Sequence, residues 1–323
     1  MKKLSKILVV RFSSIGDIVL TSPVLRCLKS QLSSELHFLT KIKYLQVIKN
    51  NPNIDKLYTI SNSTSEILHD LKLEKYDLII DLHCNLRSLY LSKKLRVKSI
   101  GYQKQNIKKL LYILTGINYI KKIHVTDRYF SNLHKIGVIN DNFGLEFFVD
   151  KLDFSQYDTS QKYIAWCIGA SNQNKKLSYE QISNVCNKLD LPILLLGDDN
   201  DKDLGSTVQL NATKKNVINF CGELTLQESS YILKNSELVL TNDTGLMHIA
   251  SAFNKKIISF WGCTKPILGF EPLISRHKSV KICSNNSRPC SKHGKYCKIS
   301  KNGCVKNIDS DIILKSIENL FVK

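Results

Sequence analysis

Two stretches of this chain join a short, unbroken apolar run to a polar turn and then to a helical pattern. That junction narrows the folds open to the chain more than any other feature. The first run is Ile7–Phe12, followed by Ser13-Ser14-Ile15-Gly16-Asp17 and a helical pattern from Ile18 to Leu32. The second is Leu238–Leu240, followed by Asn242-Asp243-Thr244-Gly245-Leu246-Met247-His248, with helical periodicity over Leu246–Phe253. A continuous apolar run reads as a strand buried on both faces of a parallel sheet. In open α/β sheets, ligands bind where such a strand turns into a helix, because free N–H groups and the helix dipole point at the bound group. One junction in each half predicts a ligand in a central cleft between two similar α/β domains.

The rest of the chain alternates in the same way. Leu36–Thr40, Leu57–Ile60, Asp77–Leu82 and Ser99–Tyr102 read as strands, with helices at Tyr44–Lys49, Leu86–Leu95 and Ile107–Thr115. Strand–helix alternation predicts a doubly wound parallel sheet. This first domain is expected over 1–150, with a polar linker at 151–162. Strands at Tyr163–Ile168, Ile193–Leu196, Val217–Phe220 and Ile257–Phe260 join Leu238–Leu240 in a second domain over 163–308. Its helices fit Tyr179–Leu189, Leu226–Lys234 and Leu246–Phe253, and Ser178 with Gln181 forms a capping-box pattern before the first of them. The last segment, 309–323, carries Ile312, Ile313, Leu314, Ile317, Leu320 and Phe321 at amphipathic helical spacing.

A length of 323 residues suits two domains, and 43% hydrophobic residues can fill two cores. No apolar stretch approaches the ~20 residues that span a bilayer. The Met1-Lys2-Lys3 opening does not read as a secretion signal, since Ile7–Phe12 is short and Arg11 interrupts it. A cytoplasmic protein is expected. The formal charge of +19 attracts polyanions, whether nucleic acid, an anionic membrane surface or a phosphorylated glycolipid. Lysines scattered through a Lys- and Asn-rich chain also arise without function. No basic helix or aromatic-plus-basic motif is evident, so nucleic acid ranks below a membrane surface.

Several residues can carry chemistry. Gly16 lets the backbone approach a ligand, and Asp17 at a helix start can take a proton from a hydroxyl; the bland alternative is that Asp17 only caps its helix. Lys175-Lys176 follow the first strand of the second half, where a cation can neutralise a departing phosphate, or simply be solvated. Asn242–His248 supplies a carboxylate, a hydroxyl, bare N–H groups and an imidazole within two turns. His248 alone reads as a core histidine.

Taken together, Arg11-Phe12-Ser13-Ser14-Ile15-Gly16-Asp17-Ile18-Val19-Leu20-Thr21-Ser22-Pro23 resembles the opening of the glycosyltransferase family 9 heptosyltransferases. Asn242 through Ala252, with Trp261-Gly262-Cys263-Thr264-Lys265-Pro266, resembles that family's donor-site segment, and Asp81-Leu82-His83-Cys84-Asn85-Leu86-Arg87-Ser88 matches a stretch of its first domain. The resemblance implies a GT-B fold of two Rossmann-like domains, with the final helix crossing back onto the first. It implies inverting, metal-independent transfer of a heptose, usually from ADP-heptose, to the inner core of lipopolysaccharide. Asp17 would be the general base. Lys175 would meet the donor phosphates, Asp243 the sugar, and Thr244, Gly245 and Leu246 the diphosphate, with Gly16 and His248 in the same donor set. His83, Asn85 and Arg87 fall on the acceptor side. Two departures stand out: Leu177-Ser178 replace a Trp-Pro pair, so Lys176 rivals Lys175, and Gln227 stands where a ribose-binding glutamate is frequent.

Of ten cysteines, Cys27, Cys84, Cys167, Cys186, Cys221 and Cys263 fall beside strands and helices, where a thiol usually serves as a small buried hydrophobe. Cys283, Cys290, Cys297 and Cys304 crowd one polar segment. Similar enzymes carry a cysteine cluster there, which makes these four candidate ligands of a structural zinc, although tight Cys-x2-Cys knuckles are absent. No cofactor is required for the transfer itself. The expected partners are a nucleotide sugar, a lipid-linked core acceptor and the anionic inner membrane face. Two rival readings are another GT-B sugar-nucleotide enzyme such as an epimerase, and a basic nucleic-acid-binding protein.

Overall fold

The computed structural model describes residues 4–150, 152 and 154–322. Lys151 and Asp153 of the expected linker, and Lys323 at the end of the expected last helix, lie outside the described residues. The chain forms two compact units, one from Met1–Lys104 and Ile123–Phe148, the other from Gln105–Lys122 and Val149–Lys323.

Unit 1 contains strands β1 (Lys6–Val10), β2 (Glu35–Lys41), β3 (Lys56–Ile60), β4 (Leu78–Asp81) and β5 (Ser99–Gly101). They form an all-parallel sheet in the order β3-β2-β1-β4-β5. The chain adds strands to one side of β1, then crosses to the other, so the order reverses between β1 and β4. The expected helix over Ile18–Leu32 is instead two: α1 (Ile15–Val19) and α2 (Ser22–Leu32). Pro23 sits in the first turn of α2, where its missing N–H is harmless, whereas inside a continuous helix it would break the ladder. Next come α3 (Leu45–Ile48), α4 (Leu68–Leu73) and α5 (Leu86–Leu95). Leu8, Val10, Phe12, Leu39, Ile79 and Leu91 are buried in one core, each large apolar side chain contributing roughly 1.5–3 kcal/mol.

The helix expected at Ile107–Thr115 is present as α6 (Asn106–Thr115), but it belongs to unit 2 and not to the first domain. The Tyr112 hydroxyl donates to the Ser287 carbonyl at 3.2 Å, and Lys298 Nζ donates to the Ile113 carbonyl at 2.9 Å. A linear reading of the alternation cannot see such long-range bonds. Helix α7 (Val125–Phe130) returns to unit 1.

Unit 2 carries β6 (Ile164–Cys167), β7 (Ile193–Leu196), β8 (Val217–Asn219), β9 (Leu238–Asn242), β10 (Lys256–Trp261) and β11 (Ser279–Cys283). This second parallel sheet runs β11-β10-β9-β6-β7-β8, with its reversal between β6 and β9. The helices are α8 (Tyr179–Cys186), α9 (Lys202–Asn211), α10 (Leu226–Asn235), α11 (Gly245–Ala252) and α12 (Ser310–Val322). The capping box forms as expected: Gln181 N–H donates to Ser178 Oγ, and Ser178 N–H donates to Gln181 Oε1. Gln181 Nε2 also donates to the Ile308 carbonyl, tying α8 to the approach of α12. Helix α12, expected to cross back onto the first domain, is part of unit 2. Ile313, Ile317 and Leu320 enter the core of unit 2 with Ile182 and Val185 of α8. No described helix is long and apolar enough to cross a membrane.

Candidate functional site

Both sheets bring polar side chains to the C-terminal edge at their reversal points, where neighbouring loops diverge and leave a crevice. In unit 1 the loops after β1 and β4 meet there. Arg11 is 6% exposed. Its guanidinium donates through Nε to the Ser13 carbonyl at 2.7 Å, through Nη1 to the Leu82 carbonyl, and pairs through Nη2 with Asp17 Oδ1 at 2.7 Å. Asp17 Oδ2 accepts longer bonds from Ser14 Oγ at 3.1 Å and Ser14 N–H at 3.3 Å. Asp17 therefore holds its own helix start and also faces a fixed cation. Burial pushes its carboxyl upward, but Arg11 and the Ser14 bonds outweigh that and hold it below the ordinary aspartate range.

His83 packs edge-on against Phe12, with ring centroids 5.0 Å apart, and the Arg87 guanidinium lies 5.9 Å from the same ring. Burial, then the charges of Arg11 and Lys104, push the His83 imidazole down to about 4, so it is neutral at physiological pH. Asn85 is different: its side chain accepts from Ser88 N–H at 2.9 Å and caps α5, which accounts for it without an acceptor. Arg11 was missed as a site residue because an arginine ending an apolar run reads only as an interruption.

In unit 2 the loops after β6 and β9 meet. Lys175 Nζ pairs with Asp243 Oδ2 at 2.7 Å, and Thr264 Oγ1 donates to the same oxygen at 2.8 Å. Burial raises the Asp243 carboxyl, but Lys175 and Thr264 more than offset this and leave it low. Thr244 caps α11 without a side-chain bond to the helix, so its hydroxyl and the first turn at Gly245 and Leu246 stand half-exposed beside the ion pair. His248 is buried one turn further on. Gln227 is 4% exposed and its amide oxygen accepts from Asp150 N–H at 3.0 Å. That bond fastens the chain entering unit 2 and gives Gln227 a structural task.

The adjacent lysines separate. Lys176 Nζ turns inward to a buried ion pair with Asp201. The carboxylate of Asp201 fits only because Gly169 and Gly197 carry no side chain: a Cβ on Gly169 would lie 2.2 Å from Asp201 Oδ2. Lys175, not Lys176, is the cation at the β6–β9 crevice.

The cysteine cluster differs from the expected set. Cys263, Cys290, Cys297 and Cys304 gather with all four Sγ atoms within 4.8 Å of one another, while Cys283 is exposed on edge strand β11. Cys283 is carried away because Ser279–Cys283 pairs with β10. Cys263 was read as a core thiol because it stands far from the others in sequence. The Cys263–Cys304 and Cys290–Cys297 sulfurs lie 3.6 and 3.8 Å apart. These separations match the edge of about 3.8 Å expected for a tetrahedron of sulfurs ~2.3 Å from a central metal ion.

The chain is similar to known proteins over most of its length. The family model described as Glycosyltransferase family 9 (heptosyltransferase) matches residues 65–302. Lipopolysaccharide heptosyltransferase 1 of Campylobacter coli is 23% identical, with 98% of this chain and 99% of that protein covered. A family 9 glycosyl transferase structure from Veillonella parvula superposes with a TM-score of 0.81 at 22% identity, covering 98% and 97% of the two chains. The structure titled E. coli heptosyltransferase WaaC with ADP gives 0.72 at 15% identity, covering 98% and 99%. The fold is the two-sheet α/β GT-B type of these structures, and the reading as a non-enzymatic nucleic-acid-binding protein is set aside.

The divergent lysines give a direct test. Lys176→Met leaves Asp201 buried without its cation and should lower unfolding free energy by about 3 kcal/mol in urea denaturation. Lys175→Met, at the crevice, should cost less than half as much. By these residues, their arrangement and the match over residues 65–302, the chain belongs to glycosyltransferase family 9 and is a glycosyltransferase.

Proposed function

We propose that the enzyme transfers a heptose, or a closely related sugar, from ADP-heptose to the inner core of lipopolysaccharide at the cytoplasmic side of the membrane. The observation that carries this reading is the Lys175–Asp243–Thr264 cluster beside the open N-terminus of α11. A diphosphate there would be met by the Lys175 ammonium, the Thr244 hydroxyl and the N–H groups of Gly245 and Leu246. As the bond to the sugar breaks, negative charge grows on the leaving diphosphate, and groups already fixed in place stabilise it without reorganising. Asp243, freed in part from Lys175 by the phosphate, is placed to accept from a sugar hydroxyl.

Asp17 is the proposed general base. Its Oδ2 holds only the two long Ser14 bonds, so an acceptor hydroxyl can displace them, whereas Oδ1 stays bound to Arg11. The hydroxyl proton moves to Oδ2 as its oxygen attacks the anomeric carbon from the face opposite the diphosphate, which inverts that centre. Neutral His83 and the Arg87 cation are suited to orient a polar, phosphorylated acceptor. The scheme routes no step through a metal: fixed positive charge from Lys175 and the N-terminus of α11 meets the leaving group.

The separate cysteine cluster is suited to a structural thiophilic ion, zinc or iron. The Ile299 and Ser300 N–H groups donate to Cys297 Sγ at 3.4 and 3.3 Å, the kind of support that thiolate ligands receive. The ion would hold together the loop that steadies the Lys175 turn, since Asn172 Nδ2 donates to the His293 carbonyl at 2.9 Å and Asn174 Nδ2 to that of Gly294 at 3.2 Å.

Two experiments test this. Asp17→Asn should reduce transfer to a core acceptor by about 10³-fold or more while ADP affinity stays within a few-fold. Because Asp17 is held below the ordinary aspartate range, wild-type activity should not fall on its account until the pH drops below that range, where Asp17 is protonated. Turnover retained in Asp17→Asn refutes the base, and sugar product formed without acceptor favours an epimerase. For the cysteine site, elemental analysis should find about one zinc or iron per chain. Cys263→Ser should lose the metal and Cys283→Ser should keep it; metal retained equally by both excludes Cys263 as a ligand.

A further inference from the structure

Helix α6 turns its apolar side outward. Ile107, Leu110, Leu111 and Leu114, at the i, i+3, i+4, i+7 spacing of one helix face, are 76%, 55%, 40% and 57% exposed. The face turned inward carries Lys109 and Ile113, each 2% exposed, with the Lys109 ammonium 4.8 Å from the centre of the Phe270 ring. This is the reverse of an ordinary surface helix. Ile117 and Tyr119, just beyond, are a further 55% and 57% exposed. Scattered exposed leucines need no explanation, but a contiguous stripe of this kind marks a contact surface.

The charge around the stripe selects its occupant. From Gln105 to Lys122 the chain contains no Asp or Glu, and Lys108, Lys121 and Lys122 are exposed. The segment beneath α6, from Ser284 to Ile308, adds Arg288, Lys292, Lys295, Lys298, Lys301 and Lys306, again with no acid. Arg288 Nη1 donates to the Leu114 carbonyl at 3.4 Å, and Lys292 Nζ to Asn106 Oδ1 at 2.7 Å, so the two segments adjoin. An apolar stripe bordered by lysines fits a helix lying in the plane of a bilayer, its leucines at the acyl boundary and its cations among anionic headgroups. We propose that α6 is the element by which this enzyme docks on an anionic lipid surface. A protein groove could cover the stripe, but two adjoining segments with exposed lysines and no acid of their own suit a uniformly negative plane. Docking would hold unit 2 at the membrane, where a lipid-linked acceptor is anchored.

The vesicle measurement needs neither donor nor acceptor, so it stands or falls apart from the transfer reading. In vesicle flotation, the full-length protein should bind phosphatidylglycerol–phosphatidylethanolamine vesicles and not pure phosphatidylcholine. Leu110→Glu/Leu114→Glu, at exposed positions, should keep the wild-type circular dichroism and melting temperature yet lose at least about tenfold in binding. Lys108→Gln, Lys121→Gln and Lys122→Gln should each weaken it about fivefold at low salt. The double variant should retain turnover on a soluble, delipidated core fragment. Undiminished vesicle binding by the double variant overturns the proposal. So does a wild-type protein that floats with neither vesicle, or a stripe that proves to hold a second copy of the chain.

Discussion

The ion pair between Lys175 and Asp243 sits where the second sheet reverses its strand order, and the chemistry assigned to this enzyme depends on it. The pair is mostly, not wholly, buried, with side-chain exposures of 11% and 14%. A cation there cannot hydrate freely, so it needs an anionic partner in every state. Asp243 supplies one at rest, and a diphosphate competes for the same ammonium. The extended backbone at Lys176 sends the next side chain the opposite way, into the core pair with Asp201. Two adjacent lysines thereby serve ligand and fold separately.

What keeps Lys175 in place is largely the cysteine-rich loop. It packs against the Lys175 turn through the Asn172 and Asn174 amides, and a Cβ on Gly294 would meet the Lys175 side chain at 2.7 Å. Its sulfurs gather beside Thr264, the residue that also bonds Asp243. The same loop supports α6 from beneath. One irregular segment thus joins the donor-facing turn and the outward apolar helix within unit 2. A metal ion is an economical way to order such a loop, which has little regular structure to do so.

The two parallel sheets and their ligand-facing turns were legible in the sequence because unbroken apolar runs such as Ile7–Phe12 leave few alternatives to a buried parallel strand. Asp17, Lys175 and Asp243 could be singled out as candidates because each lies in the turn or loop that follows such a run. What escaped was set by contacts remote in sequence. Cys263 joins Cys290, Cys297 and Cys304 only after β10 and the loop have packed. Helix α6 joins unit 2 by bonds to residues more than 170 positions away. Helix α12 could have satisfied its stripe on either unit, and periodicity does not say which. Gln227 shows the converse, since its partner Asp150 is remote in sequence, whereas Asn85 caps its own helix through Ser88 three residues on.

The most direct measurement is the affinity of ADP, by isothermal titration calorimetry at physiological ionic strength, for the wild-type enzyme and for Lys175→Met. The account predicts micromolar-range binding to the wild type and a loss of at least about tenfold, or 1.4 kcal/mol, in the variant. Equal affinity for both proteins, with the variant folded, would show that the nucleotide is held elsewhere and would contradict the account at its centre.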